Sequence, residues 1–201
     1  MHESQPETLR QQQVFTKVKT LYENSSRPVA HWMWDNHVQF VAQKAAELAN
    51  RFNVNKEQAV VGALLHDLAD VWVSRRDEHY DAIEERESTK ILAAAGFEPE
   101  EINEILTEVV GPHSCHPGNV PTTGAGKALA TADALAHLTT DFYEQVEGKG
   151  LDFWDMVPPP GGYAAWAKKK LDRDLNDKIF WDEVREEVRP DYDHLVAKYS
   201  S

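Results

Sequence analysis

An all-α fold is predicted by three observations. Apolar residues recur at three-to-four spacing along nearly the whole chain, alternating strand-like runs are scarce, and glycine and proline clusters separate the periodic segments. Val38, Val41, Ala45, Leu48 and Phe52 form one helical stripe. Asn55 followed by Gln58 resembles a capping box, so a second helix is expected to start there and run to about Ala69. A third helix is expected over residues 82–95, stopped by Gly96. Glu98, Pro99, Glu100 and Glu101 supply a cap, a first-turn proline and an acidic first turn for a fourth helix, ending near Val110. Residues 111–126 hold three prolines and four glycines and read as a loop, followed by a strongly apolar helix over 127–146. A second long loop over 148–162 contains Pro158, Pro159 and Pro160. Two amphipathic helices, over 164–176 and 179–199, close the chain.

At 201 residues the chain can bury a full core, and its 41% hydrophobic and 27% charged composition is that of a globular protein. One domain over residues 1–201 is expected, with a core over 30–147 and C-terminal helices within 161–200 packing on it, because about 40 residues make a poor independent core. No stretch approaches the roughly 20 apolar residues of a membrane helix, and MHESQPETLRQQQ is too polar for a signal-peptide core. A cytoplasmic protein that does not engage a membrane is expected. Cys115 is the only cysteine, which excludes an intramolecular disulfide. The net charge of -13 argues against bulk nucleic-acid binding, and a phosphate-processing site in such a chain needs local cations.

Chemistry concentrates where charge interrupts apolar helix. His66 and Asp67 emerge from a segment carrying Ala59, Val60, Val61, Ala63, Leu64, Leu65 and Leu68. Asp133 is surrounded by Ala128, Leu129, Ala130, Ala132, Ala134, Leu135 and Ala136. Uncompensated burial of either carboxylate would cost several kcal/mol, and neither has an evident local cationic partner. A metal ion would satisfy both. His37 precedes His66 by 29 residues, a spacing that lets two antiparallel helices bring the imidazoles together. His37 alone reads more simply as a core or surface side chain, but His66, Asp67 and Asp133 together are harder to explain by packing. Two imidazoles and two carboxylates suit Mn²⁺, Fe²⁺, Co²⁺, Ni²⁺ or Zn²⁺, and Mg²⁺ is also a candidate.

The ordered series His37, then ALLHDLAD with His66 and Asp67, then ATADAL with Asp133, resembles the H…HD…D signature of HD-domain phosphohydrolases. The segment GPHSCHPGNVPTTGAGKALATADALAHL is similar to a stretch of bacterial HD hydrolases in which a histidine–serine pair, two threonines and a lysine precede the last aspartate. The resemblance implies a single-domain HD-type helical bundle in which His37, His66, Asp67 and Asp133 bind one divalent metal ion. It also implies action on phosphate esters and nucleotides, so a small phosphorylated molecule is the expected partner.

Further candidates follow from position. Asp70 lies four residues after His66 and three after Asp67, on one helical face, and reads as a general base or orienter alongside the catalytic candidates Asp67 and His113, with a solvated helix-end carboxylate as the alternative. Arg75, Arg76 and Lys127 flank the motif-bearing helices as candidate phosphate contacts, although each also reads as an ordinary surface charge. His113 and His116 are candidates for a second metal with Glu84 and Glu87, which stand where some two-metal HD proteins present a histidine. Cys115 reads as a passive loop thiol. His137, one helical turn after Asp133, stands apart from the remaining histidines. The alternatives to phosphoester hydrolysis are a mixed-valence di-iron oxygenase of the same fold and a nucleotide-sensing module without turnover.

Overall fold

A computed structural model describes residues 8–157 and 159–200. Residues 1–7, Pro158 and Ser201 lie outside it, and with them part of the polar N-terminus and one of the three consecutive prolines. The described chain is helical, with no β-strand among the described residues. In order, the elements are α1 (Leu9–Glu23), α2 (Pro28–Met33), a π-helical turn (Trp34–Val38), α3 (Gln39–Phe52), α4 (Lys56–Leu65) and a 3₁₀ turn (Leu68–Val71). Then come α5 (Tyr80–Ala94), α6 (Pro99–Glu104), a second π turn (Ile105–Val110), α7 (Gly124–Leu138), α8 (Phe142–Lys149), α9 (Gly162–Asn176) and α10 (Asp182–Tyr199).

Three helices make the centre. α3, α4 and α7 pack on one another, and α7 is buried on nearly every side because its residues are small, with Ala128, Ala130, Ala132 and Ala134 fully enclosed. Close approach depends on glycine at one position in particular. A Cβ on Gly126 would run into the Glu108 carbonyl oxygen, so a larger residue would push the start of α7 off the second π turn. α9 and α10 pack on each other and on α7, and α1 lies against α4.

The local chemistry behaves as the caps suggest. Asn55 accepts from the Gln58 backbone N–H at 3.1 Å and starts α4, while Glu98 and Glu101 form a capping box with Pro99 at the first position of α6. Several expected boundaries shift. Ahead of the Val38 stripe, where no element is assigned from the sequence, Thr8 and Gln11 form a capping box that starts α1. The helix expected to run to Ala69 ends at Leu65, because Asp67 takes φ -133° and ψ 26°. The helix expected over 127–146 starts earlier, at Gly124, where the Thr123 side chain caps Gly126 N–H. It breaks at Leu138, where Thr139 and Thr140 turn their hydroxyls back onto the Leu135 and Ala136 carbonyls before α8 begins.

Candidate metal centre

His37 sits inside the first π turn, where one extra residue per turn widens the helix and redirects the side chains that follow. The ring points to the core and is almost wholly buried. His66 is the residue that ends α4, and its Nδ1 lies 2.7 Å from the Ala63 carbonyl oxygen. That carbonyl can only accept, so Nδ1 carries the proton and Nε2 presents a lone pair inward. The break after His66 turns Asp67 toward the same point, and the Tyr22 hydroxyl from α1 caps the freed Asp67 carbonyl at 2.8 Å. Asp133 arrives from the middle of α7.

The four side chains converge. His37 Nε2 lies 3.1 Å from His66 Nε2, 3.1 Å from Asp133 Oδ1 and 3.6 Å from Asp67 Oδ2. His66 Nε2 lies 3.4 Å from Asp67 Oδ2 and 3.9 Å from Asp133 Oδ1. Donors of one ion at about 2.0–2.3 Å each stand roughly 3–4 Å apart, and His37, His66 and Asp133 form a group that could hold a divalent metal, all their donor atoms lying within 4.8 Å of one another, while Asp67 approaches it from the imidazole side.

The expectation that the carboxylates lack cationic partners is corrected. Arg75 Nη2 lies 2.6 Å from Asp67 Oδ2 and 2.7 Å from Asp70 Oδ2, and buried Lys178 donates to Asp133 Oδ2. Burial alone would raise both aspartates, but the outcome is the reverse. Arg75 and the neighbouring imidazoles hold Asp67 below the ordinary carboxylate range, and His137, Lys178 and His37 do the same for Asp133. Lys178 lies in the turn between α9 and α10, where no motif or periodicity marks it.

Asp70 is not on a shared helical face with His66, since the helix ends before it. Its Oδ2 accepts from Arg75 and its Oδ1 from the Tyr80 hydroxyl at 3.2 Å, so it reaches Asp67 through Arg75. Arg75 faces the cavity beside the centre but is first a partner of the two aspartates. Arg76 is exposed and contributes a backbone contact to Ser74 Oγ. Lys127 stands 5.9 Å from the Phe180 ring centre and does not line the cavity, so neither of these two residues joins the site.

The residues considered for a second metal separate. Glu87 pairs with Arg86 and Lys90 on the outer face of α5, and His116 is exposed in the loop. Glu84 stays close enough to Asp67 and Asp70 that burial and then their charge push it well above the carboxylate range, and its buried Oε1 has no hydrogen-bond partner. His113 does reach the centre. Its ring meets that of His66 edge-on at 5.2 Å, its Nδ1 lies 2.6 Å from the Val110 carbonyl, and burial lowers it to about 3. The loop carries the pair apart because Cys115 adopts φ 51° between them.

A cavity of about 1140 Å³ opens above the centre. Lys169, Lys170, Arg173 and Lys178, from α9 and the turn after it, make one wall mainly basic, although Asp172 and Asp177 line it too, and Met33, Phe142, Trp154 and, on α9 itself, Trp166 add apolar and aromatic surface. The basic wall is not evident in sequence, because lysines and arginines on an amphipathic tail helix read as a solvated face.

The bundle and its buried histidine–aspartate centre define the HD superfamily of metal-dependent hydrolases. The HD domain family matches residues 34–138, and the chain belongs to that family. A crystal structure of a predicted HD superfamily hydrolase from an uncultured Thermotogales bacterium has a TM-score of 0.59 and 16% identity, covering 94% of this chain and 88% of that one, a likeness of fold. No curated protein matches the chain. No described helix is long and apolar enough to cross a membrane.

Proposed function

We propose that the chain hydrolyses a phosphate ester of a small organic molecule, nucleotides included, at the His37–His66–Asp67–Asp133 centre. The observation that carries this reading is the placement of that centre at the floor of a cavity with a basic wall in a chain of net charge -13. Arg173 lines the cavity, and its buried Nε has no hydrogen-bond partner, as a phosphate-binding guanidinium requires. Lys169 and Lys170 add charge on the same helix, and the aromatic wall suits an apolar or ring-bearing organic group.

His37, His66 and Asp133, with Asp67 beside them, would hold a divalent ion, which would supply an acidified water and a counter-charge for the phosphoryl oxygens. The protein's own part is positional. His66 is oriented by the Ala63 carbonyl, Asp133 by Lys178, and Asp67 by Arg75, which Asp70 holds while the Tyr80 hydroxyl donates to Asp70. His113 stands at the cavity edge with Nε2 3.2 Å from the Ser114 hydroxyl, and a hydrogen bond to a phosphate oxygen or leaving group would replace or share that contact.

The test is phosphate release from a panel of nucleotides and phosphomonoesters, with Mn²⁺, Co²⁺, Ni²⁺, Mg²⁺ and Zn²⁺ added singly. Turnover by wild type that disappears in Asp67→Ala and Asp133→Ala supports the proposal. No release with any metal, or equal release by Asp67→Ala, overturns it.

A further inference from the structure

Beside the four donors stands a third imidazole. His137 follows Asp133 by one turn of α7, and its Nε2 lies 3.4 Å from Asp133 Oδ1. With His37 Nε2 at 3.1 Å and His66 Nε2 at 3.9 Å, three ring nitrogens surround one carboxylate oxygen. The His37 and His137 rings lie nearly parallel, 10° apart with centres at 5.2 Å, and Phe142 covers His137 at 4.3 Å.

The other side of the ring is built to orient it. His137 Nδ1 lies 3.0 Å from Oδ2 of Asp174, which α9 presents fully buried. The same Oδ2 accepts from the Tyr143 hydroxyl at 3.1 Å and sits 3.4 Å from Lys170 Nζ. Together these cations and donors hold Asp174 as an acceptor. With Asp174 as the acceptor the proton of the His137–Asp174 contact sits on Nδ1, and the Nε2 lone pair is then aimed at Asp133 Oδ1. Two acceptors facing at 3.4 Å repel unless a cation lies beside both.

We infer that His137 is a further metal-binding donor of this centre, positioned by Asp174. The inference rests on the metal-centre reading above and adds a third imidazole, beside Asp133, to the His37–His66–Asp133 group. A carboxylate that accepts from the outer nitrogen of a ligating imidazole fixes its tautomer and raises its basicity. A third imidazole also favours Co²⁺, Ni²⁺, Zn²⁺ or Fe²⁺ over Mg²⁺, which prefers oxygen donors. The competing arrangement is a structural one, in which Lys170 Nζ, 3.1 Å from His137 Nδ1, donates to that nitrogen and Nε2–H donates to Asp133.

The experiment titrates metal-free wild type, His137→Ala and Asp174→Asn with Co²⁺, reading bound metal per chain by equilibrium dialysis and the visible absorption of the bound ion. His137→Ala is expected to weaken Co²⁺ binding by at least about 10-fold and change the spectrum, and Asp174→Asn to weaken it by about 10-fold. A measurement on wild type covers the case in which a variant does not fold. With ¹⁵N-labelled histidines, Zn²⁺ should shift the Nε2 resonance of His137 along with those of His37 and His66. Wild type that binds metal while His137 Nε2 stays unmoved, or His137→Ala with unchanged affinity and spectrum, overturns this inference alone. Wild type that binds no ion overturns the metal-centre reading and this inference with it.

Discussion

Lys178 donates to Asp133 across 45 residues of chain, and both side chains are buried. The pair joins the turn after α9 to the centre of α7, so the tail of the chain supplies the countercharge for a motif aspartate. Burial works against the Lys178 ammonium, but Asp133 and Asp174 outweigh it and raise its pKa. Lys178→Met removes one partner and leaves a buried anion, which should destabilise the metal-free protein by about 3–5 kcal/mol. Saturating Zn²⁺ should recover part of that loss, because the ion takes over the neutralisation of Asp133. Urea unfolding with and without Zn²⁺ measures both, and a loss below about 1 kcal/mol in the metal-free protein would contradict the assignment.

Asp70 and Arg75 should act as one unit. Both Asp70 oxygens are engaged by Arg75 and Tyr80, and Arg75 passes that anchoring to Asp67. Asp70→Asn and Arg75→Lys are each expected to retain metal and lower kcat by about 10-fold, and the double variant to lose little more than either. Multiplying losses in a double-mutant cycle would show independent roles.

Gly126→Ala should destabilise the fold by about 1–3 kcal/mol, since its Cβ runs into the Glu108 carbonyl oxygen and meets Pro121 Cβ at 2.9 Å. Gly148, exposed in α8 with open space for 4 Å around the place an added methyl group would take, provides the contrast. Gly148→Ala should leave stability unchanged or raise it by up to about 1 kcal/mol. Thermal unfolding of the two variants beside wild type tests the pair, and equal effects would argue against the close helix approach.

Burial pushes the Cys115 thiol up to about 11, and only 6% of the residue is exposed. At pH 8 it should be nearly all thiol and react slowly with a disulfide reagent until the protein is unfolded. Cys115→Ser should keep both metal and turnover. Fast labelling of the folded protein, or a large activity loss, would show that the loop thiol has a role.

His113 makes stability fall in acid. Its folded pKa of about 3 lies below the unfolded value near 6.5, so between the two the unfolded chain binds more protons. Its contribution is complete above about pH 6.5 and is lost progressively as pH falls toward 3. Urea unfolding of the metal-free protein at pH 4.5 and 7.5 should show His113→Gln losing about 1–2 kcal/mol less than wild type over that interval. Equal losses would mean that the buried ring is not what resists protonation.

How far the sequence reached depended on how local each determinant was. The helical periodicity, the Asn55 and Glu98 caps and the H…HD…D series lie within short windows, and they were enough for an all-α fold and for naming the His37, His66 and Asp133 side chains that the fold groups together. Several outcomes needed the folded chain. The π turn at His37 and the break after His66 follow from how α2–α3 and α4 pack, not from any breaker residue. Glu84 and Glu87, three residues apart on α5 and both half-buried, took different surroundings, Glu84 beside Asp67 and Asp70 and Glu87 against Arg86 and Lys90, and His113 parted from His116 at a left-handed Cys115. Lys178 and Asp174 belong to the site only because α9 lies against α7, which brings charges 37 and 45 residues away onto His137 and Asp133. A side chain's place on its own helix is set by the periodicity of that helix. Its partner is set by which other helix fills the space opposite, and that depends on the packing of the whole bundle.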